Sequence, residues 1–175
     1  MNTLDVIAKR KSTRNFGPQR VGEDVIAAVI KAACAAPIAM AGYESLHITV
    51  IEDEGVIARI NQKTAEVFAQ RPGARKNVDY GAKTLIFVST AKTMLPPEME
   101  FANAGIVVEN MVLAATALGV DSVILGGAPA IVSGDAEMVK ALGIPDGFKP
   151  VLGVALGYAA VDEPAKNHEI AVNRI

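Results

Sequence analysis

The chain has 175 residues and a mass of 18.3 kDa, a length that favours one domain over residues 1–175. Its hydrophobic share of 51% and mean hydropathy of +0.31 exclude an intrinsically disordered protein, and its formal net charge of −2 gives no sign of a nucleic-acid or membrane partner. A lone cysteine, Cys34, excludes an internal disulfide, and the N-terminal residues hold no apolar run of signal-peptide length, so we expect a cytoplasmic protein.

Two helices are predicted in the first part of the chain. Apolar residues at helical spacing behind Thr3, a candidate N-cap, predict a short helix that ends in a run of cations. A wider apolar stripe predicts a second helix over residues 22–36, which Pro37 ends.

Strands and helices alternate next. Residues 46–51 and 84–89 are short, apolar and rich in β-branched side chains, which predicts two strands. Residues 56–68 between them keep helical spacing, whereas residues 70–80 have no period and are predicted to form a loop.

The longest predicted element covers residues 98–118. It is apolar on nearly every side, but Asn103, Glu109 and Asn110 interrupt it. Interior polar residues of this kind favour a buried central helix over a membrane span.

The last third of the chain again mixes both kinds of element. A strand over residues 122–125 closes on a glycine pair, a helix begins after Asp135 and ends at Gly143, and a strand covers residues 150–158 before a polar tail. The pattern predicts a sheet covered by helices. Since the apolar share is high and Trp is absent, we also expect an obligate oligomer that buries the excess apolar surface.

The most informative segment is the basic segment, residues 10–16, with three cations and two hydroxyls within five residues. Such a cluster can hold a phosphate dianion through charge-assisted hydrogen bonds. The same cations could instead satisfy the last carbonyls of the preceding helix, which is the commoner arrangement.

Two further segments could approach a ligand closely. Residues 36–42 follow a helix-stopping proline with small apolar residues, and residues 125–129 open a strand end into Gly126 and Gly127. Ordinary turns would explain both.

Most common catalytic signatures are missing. The sequence has no GxGxxG, P-loop, CxxC, HExxH or GxSxG motif. His47 is predicted to be a packed or edge residue of a strand, and Cys34 a small buried hydrophobe. No side chain is assigned as catalytic, so an enzyme with this sequence would take its chemistry from a cofactor.

Four segments together resemble the nitroreductase family of FMN-binding flavoproteins. Residues 10–16, Arg-Lys-Ser-Thr-Arg-Asn-Phe, resemble the family's Arg-Arg/His-Ser-x-Arg-x-Phe signature, and residues 36–40, Ala-Pro-Ile-Ala-Met, resemble its Ala-Pro-Ser-x-x-Asn turn. Residues 109–119 resemble its long central helix, and residues 142–145 with 157–158 its closing segment.

The resemblance implies an α+β, nitroreductase-like fold: a central, mostly antiparallel sheet covered by helices, in an interlocked homodimer with FMN at the subunit interface. It implies three groups of cofactor-binding residues and a basic residue near the C-terminus that reaches the phosphate. The phosphate and ribityl chain would contact Arg10, Lys11, Ser12 and Arg14; the isoalloxazine would contact Pro37, Ile38, Ala39 and Met40 of the other subunit and the end of a strand at Leu125, Gly126 and Gly127; the C-terminal residue would be Lys166 or His168.

The implied activity is a two-step exchange in which NADH or NADPH reduces FMN and a nitroaromatic, quinone or similar flat acceptor is then reduced. The family's Asn-x-Gln-Pro-Trp segment is replaced here by Ala-Gly-Tyr-Glu-Ser at residues 41–45, which leaves a non-catalytic or specialised FMN-binding protein as the alternative. A third interpretation, without flavin, makes the basic segment a surface for a protein or nucleic acid.

Overall fold

A computed structural model describes residues 2–69, 77–93, 96–161, 164–165 and 168–175. Within them, six α-helices and four β-strands follow one another, with two short 3-10 helices, Ala39–Ala41 and Tyr43–Ser45, before the first strand. The elements are α1 (Thr3–Lys9), α2 (Glu23–Cys34), β1 (Leu46–Ile51), α3 (Glu54–Phe68), β2 (Thr84–Ala91), α4 (Pro97–Ala117), β3 (Asp121–Leu125), α5 (Gly127–Ser133), α6 (Ala136–Ala141) and β4 (Phe148–Gly157).

The four strands form one sheet in the order β1-β2-β4-β3, and every neighbouring pair is antiparallel. Asp121 of β3 lies opposite Gly157 of β4, so the start of one strand meets the end of the other. Strands β1 and β3 are the edges. The predicted helix-covered antiparallel sheet is therefore confirmed.

Helices cover both faces of the sheet. Alternate residues of β2 point to opposite layers, Ile86 and Val88 toward α2 and α4, Leu85 and Phe87 toward α3, α5 and α6. All four side chains are fully buried, which explains why this strand reads as an unbroken apolar run. Of the described helices, α4 included, none is long and apolar enough to cross a membrane.

The start of α1 differs from the prediction. The N-cap is Asn2, not Thr3: its side-chain oxygen accepts the Asp5 N–H at 3.0 Å, and the Asp5 carboxylate accepts the Asn2 N–H at 3.4 Å. This reciprocal pair satisfies two donors at the helix start, which a threonine one residue later does not do.

Two other predictions are wrong. Cys34 is exposed, because it is the last residue of α2 and lies off the buried stripe formed by Ile26, Val29 and Ala33. Gly126 and Gly127 are not a plain turn: α5 begins at Gly127 directly after β3. A proline at the third position of that helix is tolerated because the first-turn N–H groups have no partner inside the helix.

Of the predicted loop over 70–80, residues 70–76 lie outside the described residues.

Candidate functional site

The basic segment lies along the free edge of β3. Ser12 and Ser122 form an isolated parallel bridge, in which the Thr13 N–H donates to the Ser122 carbonyl at 2.9 Å. The segment thus extends the sheet by one short pairing and sits where α1 ends.

Asp121, the first residue of β3, holds the basic segment in place. Its Oδ1 accepts the Thr13 hydroxyl at 3.2 Å, its Oδ2 accepts the Ala159 N–H at 3.0 Å, and the Lys11 ammonium lies 3.9 Å from Oδ1. One carboxylate therefore joins the basic segment, β3 and the chain leaving β4. The sequence analysis missed this residue, since its partners are distant along the chain.

Phe16 fixes the far end of the basic segment. Its N–H donates to the Tyr80 carbonyl at 3.0 Å, and its ring is buried against β4. Gly157 is required there, since a Cβ on it would lie 2.8 Å from Phe16 Cδ1. With both ends fastened, the segment's backbone is held before any ligand arrives.

Within the part of the chain that the structure describes, the arginines of the basic segment do not hold the fold. Arg10 is half-buried and Arg14 exposed, and neither guanidinium has an ion-pair partner among the described residues. Considering residues 2–69, 77–93, 96–161, 164–165 and 168–175, Arg14 donates only to the Ser12 carbonyl, at a long 3.5 Å. In the described residues, these guanidiniums therefore do not cap the last carbonyls of α1. Both remain able to pair with an anion.

A cleft of about 410 Å³ opens beside the basic segment. It is lined by Lys9 at the end of α1, Lys11 of the basic segment, Thr116 near the end of α4 and Pro164. The C-terminal candidates are not in this group as described: Lys166 lies outside the described residues, and His168 is exposed on the tail.

The other end of β3 is open. Four residues separate Ser122 from Gly126, which corresponds to about 13 Å along a strand. A Cβ on Gly126 would meet no described residue within 4 Å, so the described part of the chain leaves the space in front of this glycine free. Leu125 is buried beneath it. An elongated ligand could contact the basic segment and the Gly126 end together.

The Met40 turn, residues 37–42, is held in an unusual conformation. Met40 and Ala41 have φ values of 56° and 52°, a left-handed backbone that L-residues with a Cβ rarely adopt. Ile38 is buried, whereas Met40 is 86% exposed. Residues held in such sparsely populated backbone conformations cluster at active sites and ligand sites.

These predicted pieces do not all meet within one chain. The Met40 turn is attached to α4 at Asn103, while the cleft beside the basic segment reaches Thr116 of the same helix. Thirteen residues of α-helix separate the two, which corresponds to about 20 Å. A single chain therefore carries the Met40 turn and the cleft near opposite ends of α4.

His47 stays apart from this arrangement. It lies on the edge strand β1, and its ring packs edge-on against Phe148 with centroids 6.0 Å apart. The prediction of a packed or edge histidine is confirmed.

Comparisons with known proteins agree with this architecture. A sequence profile of the nitroreductase family matches residues 7–158. A protein of Archaeoglobus fulgidus, provisionally named NADH dehydrogenase/NAD(P)H nitroreductase, is 29% identical over 160 residues, which cover 89% of this chain and 84% of that protein.

Two solved structures share the fold along nearly the whole chain. The nitroreductase with bound FMN from Desulfitobacterium hafniense is 25% identical with a TM-score of 0.84, covering 99% of this chain and 100% of that one. The nitroreductase with bound FMN from Bacteroides fragilis is 26% identical with a TM-score of 0.84, covering 100% and 97%. The expected nitroreductase-like α+β fold is confirmed.

Proposed function

The chain belongs to the nitroreductase family, and we propose that it is an FMN-dependent oxidoreductase that uses NADH or NADPH to reduce flat acceptors such as nitroaromatics or quinones. The observation that carries the proposal is the basic segment, which Asp121 and Phe16 anchor while the guanidiniums of Arg10 and Arg14 form no ion pair with a described residue. The FMN bound in two similar structures and the name of the A. fulgidus relative support it.

The residues present fit FMN in charge and shape. The phosphate carries two negative charges, and two guanidiniums with the neighbouring Ser12 hydroxyl are suitable donors for it. The Ser122 hydroxyl, buried beside Ser12, has no hydrogen-bond partner in the described structure, so this edge of β3 has spare donor capacity. The open space at Gly126 leaves room for a flat ring.

The protein's part in the reaction is binding and orientation. When bound, FMN supplies the redox chemistry, accepting a hydride from the nicotinamide and passing electrons to the acceptor. Arg10, Lys11, Ser12 and Arg14 would hold the phosphate end, and residues 125–127 would lie beside the ring. In this proposal no side chain serves as a proton donor, and the reductant and the acceptor occupy the same place in turn.

The proposal includes a homodimer with a site built from both subunits. Two copies of α4 packed antiparallel would bring the Met40 turn of one chain to the Gly126 end of the other. Within one chain, the Met40 turn and the cleft contact α4 at Asn103 and Thr116, about 20 Å apart along the helix. Large apolar side chains on α1 and α4 are exposed in the single chain and would be covered: Leu4 76%, Ile7 50%, Phe101 58%, Ile106 38% and Leu118 48%.

The test is a flavin titration of the purified protein followed by anaerobic reduction. Visible absorption after addition of FMN, then of NADH or NADPH, and finally of a nitroaromatic or quinone, should show binding, bleaching and recovery in that order. Initial rates that give parallel double-reciprocal lines would support alternating occupancy. Binding without bleaching would favour the FMN-binding alternative suggested by residues 41–45, and a protein that ignores FMN would refute both. Sedimentation should give a dimer.

A further inference from the structure

Asn103 is a buried amide in an otherwise apolar part of α4. It is only 3% exposed, and its Oδ1 accepts the Ala39 N–H at 3.1 Å. This bond joins the central helix to the backbone of the Met40 turn. Burying an amide is costly unless it is hydrogen-bonded, and the bond to Ala39 offsets that cost.

Asn110 makes a related contact farther along the same face. Seven residues after Asn103, and so two helical turns on, its Nδ2 donates to the Ala32 carbonyl at 3.0 Å. Asn110 thus fastens the end of α2, whereas Asn103 fastens the turn that follows. The two polar interruptions of α4 have similar chemistry but hold different targets.

The Met40 turn needs such support. Left-handed backbone at Met40 and Ala41 is unfavourable for residues with a Cβ, and neither is glycine. Two hydrogen bonds bracket the strained pair: the Asn103 bond at Ala39, and the Tyr43 hydroxyl, which donates to the Ala36 carbonyl at 3.1 Å. The product is a fixed turn with the Met40 side chain in solvent.

We propose that Asn103 is a positioning residue that holds the Met40 turn, and that Met40 is thereby presented as an apolar wall for the acceptor. This inference rests on the proposed function, in which the turn faces the partner's flavin. A thioether side chain is unbranched and polarizable, and it packs against rings of varied shape. The arrangement suits flat, apolar acceptors of different sizes and does not select for charged ones.

Three variants separate positioning from general stability. Asn103→Ala removes the acceptor, Asn103→Asp keeps an oxygen at the same place, and Asn110→Ala is the matched control on the same helix. Hydrogen exchange at the Ala39 amide is measured in the protein without flavin. We expect exchange to rise about tenfold in Asn103→Ala, to return toward the parent rate in Asn103→Asp, and to stay unchanged in Asn110→Ala.

Kinetics of the flavin-loaded protein give the second readout. Asn103→Ala should raise KM for a quinone or nitroaromatic about fivefold with kcat within about twofold, as expected when binding without chemistry is lost. Met40→Ala should raise the same KM without changing Ala39 exchange. Asn110→Ala should keep the KM and kcat of the parent protein, even if its melting temperature falls as much as that of Asn103→Ala.

Each possible failure has a distinct meaning. Unchanged Ala39 exchange in Asn103→Ala would overturn the positioning role, and faster exchange with unchanged KM would overturn the link to the acceptor. A protein that binds no FMN would refute the proposed function, yet the exchange result would still decide the positioning role. If Asn103→Ala does not fold, Asn103→Ser, whose hydroxyl is too short to reach Ala39, replaces it.

Discussion

Replacing Asp121 tests whether the basic segment is held as the structure indicates. Alanine at this position removes the acceptor for the Thr13 hydroxyl and for the Ala159 N–H. Each hydrogen bond to a charged group contributes about 1.5–3 kcal/mol. Because 24% of the Asp121 side chain is exposed, water compensates part of the loss, and we expect Asp121→Ala to lower the free energy of unfolding by about 2–4 kcal/mol. The Lys11 contact at 3.9 Å adds little.

Asparagine at the same position should behave differently. Its amide oxygen can accept the Ala159 N–H while its NH₂ group donates to the Thr13 oxygen, since a hydroxyl both donates and accepts. Only the charge is lost, so Asp121→Asn should cost about 1 kcal/mol. FMN affinity should fall in Asp121→Ala. It should change less in Asp121→Asn, because the retained hydrogen bonds keep the backbone of the basic segment in place.

Urea denaturation with matched m-values measures both effects. Asp146→Ala, which removes an exposed carboxylate from a loop, is the control for charge and should change stability by less than about 0.5 kcal/mol. Equal losses in Asp121→Ala and Asp121→Asn would refute the hydrogen-bond reasoning. A cost below about 0.5 kcal/mol in Asp121→Ala would show that the segment is held by other contacts.

Three further changes give separate tests. Arg10→Ala should weaken FMN binding by about 1.5–3 kcal/mol in a fluorescence titration, whereas Arg20→Ala should leave it unchanged because that guanidinium pairs with Glu54. The Lys63 ammonium and, to a smaller extent, the Met138 N–H donate to the Asp135 carboxylate and lower its pKa below the ordinary 3.8. The stability that this carboxylate adds is therefore present above about pH 4 and is lost as the pH falls through the lowered pKa. Ala41→Gly should raise the free energy of unfolding by up to about 1 kcal/mol, because glycine adopts the left-handed backbone without strain.

The outcomes that contradict these predictions are equally specific. Unchanged FMN affinity in Arg10→Ala would place the phosphate elsewhere. A stability difference between the parent protein and Asp135→Asn that does not shrink on acidification would remove the Lys63 pairing as its source. Loss of stability in Ala41→Gly, of the kind expected for Ala27→Gly within α2, would mean that position 41 is not left-handed.

Elements with strong local signals were predictable from the sequence. Helix α2 has an apolar stripe and a following proline, and α6 has the Asp135 cap and a glycine with φ of 65° just beyond its end. Strand β2 is a continuous apolar run because both its faces are buried. Each of these depends on residues within a few positions of one another.

The features that were missed depend on contacts between distant parts of the chain. Asp121 acts through Thr13, 108 positions away, and no local pattern marks it. Helix α5 begins with glycines and a proline, which locally indicate a turn, and packing against β4 and α3 overrides that preference. The exposure of Cys34 depends on where α2 ends, and helix ends are the least certain part of a sequence-based prediction.

The separation of the Met40 turn from the basic segment bears on the proposed homodimer. The Met40 turn and the cleft beside the basic segment contact α4 at Asn103 and Thr116, which are about 20 Å apart along the helix. Both contacts are made to the same helix, and the rise of an α-helix sets their separation within one chain. The homodimer proposed above lets both segments act on one ligand, each supplied by a different chain. A dissociated monomer should then bind FMN through the basic segment alone and reduce acceptors poorly. Dilution below the dimer dissociation constant would lower the rate per flavin if the site is shared between two chains. The rate per flavin would stay constant if the site lies within one chain.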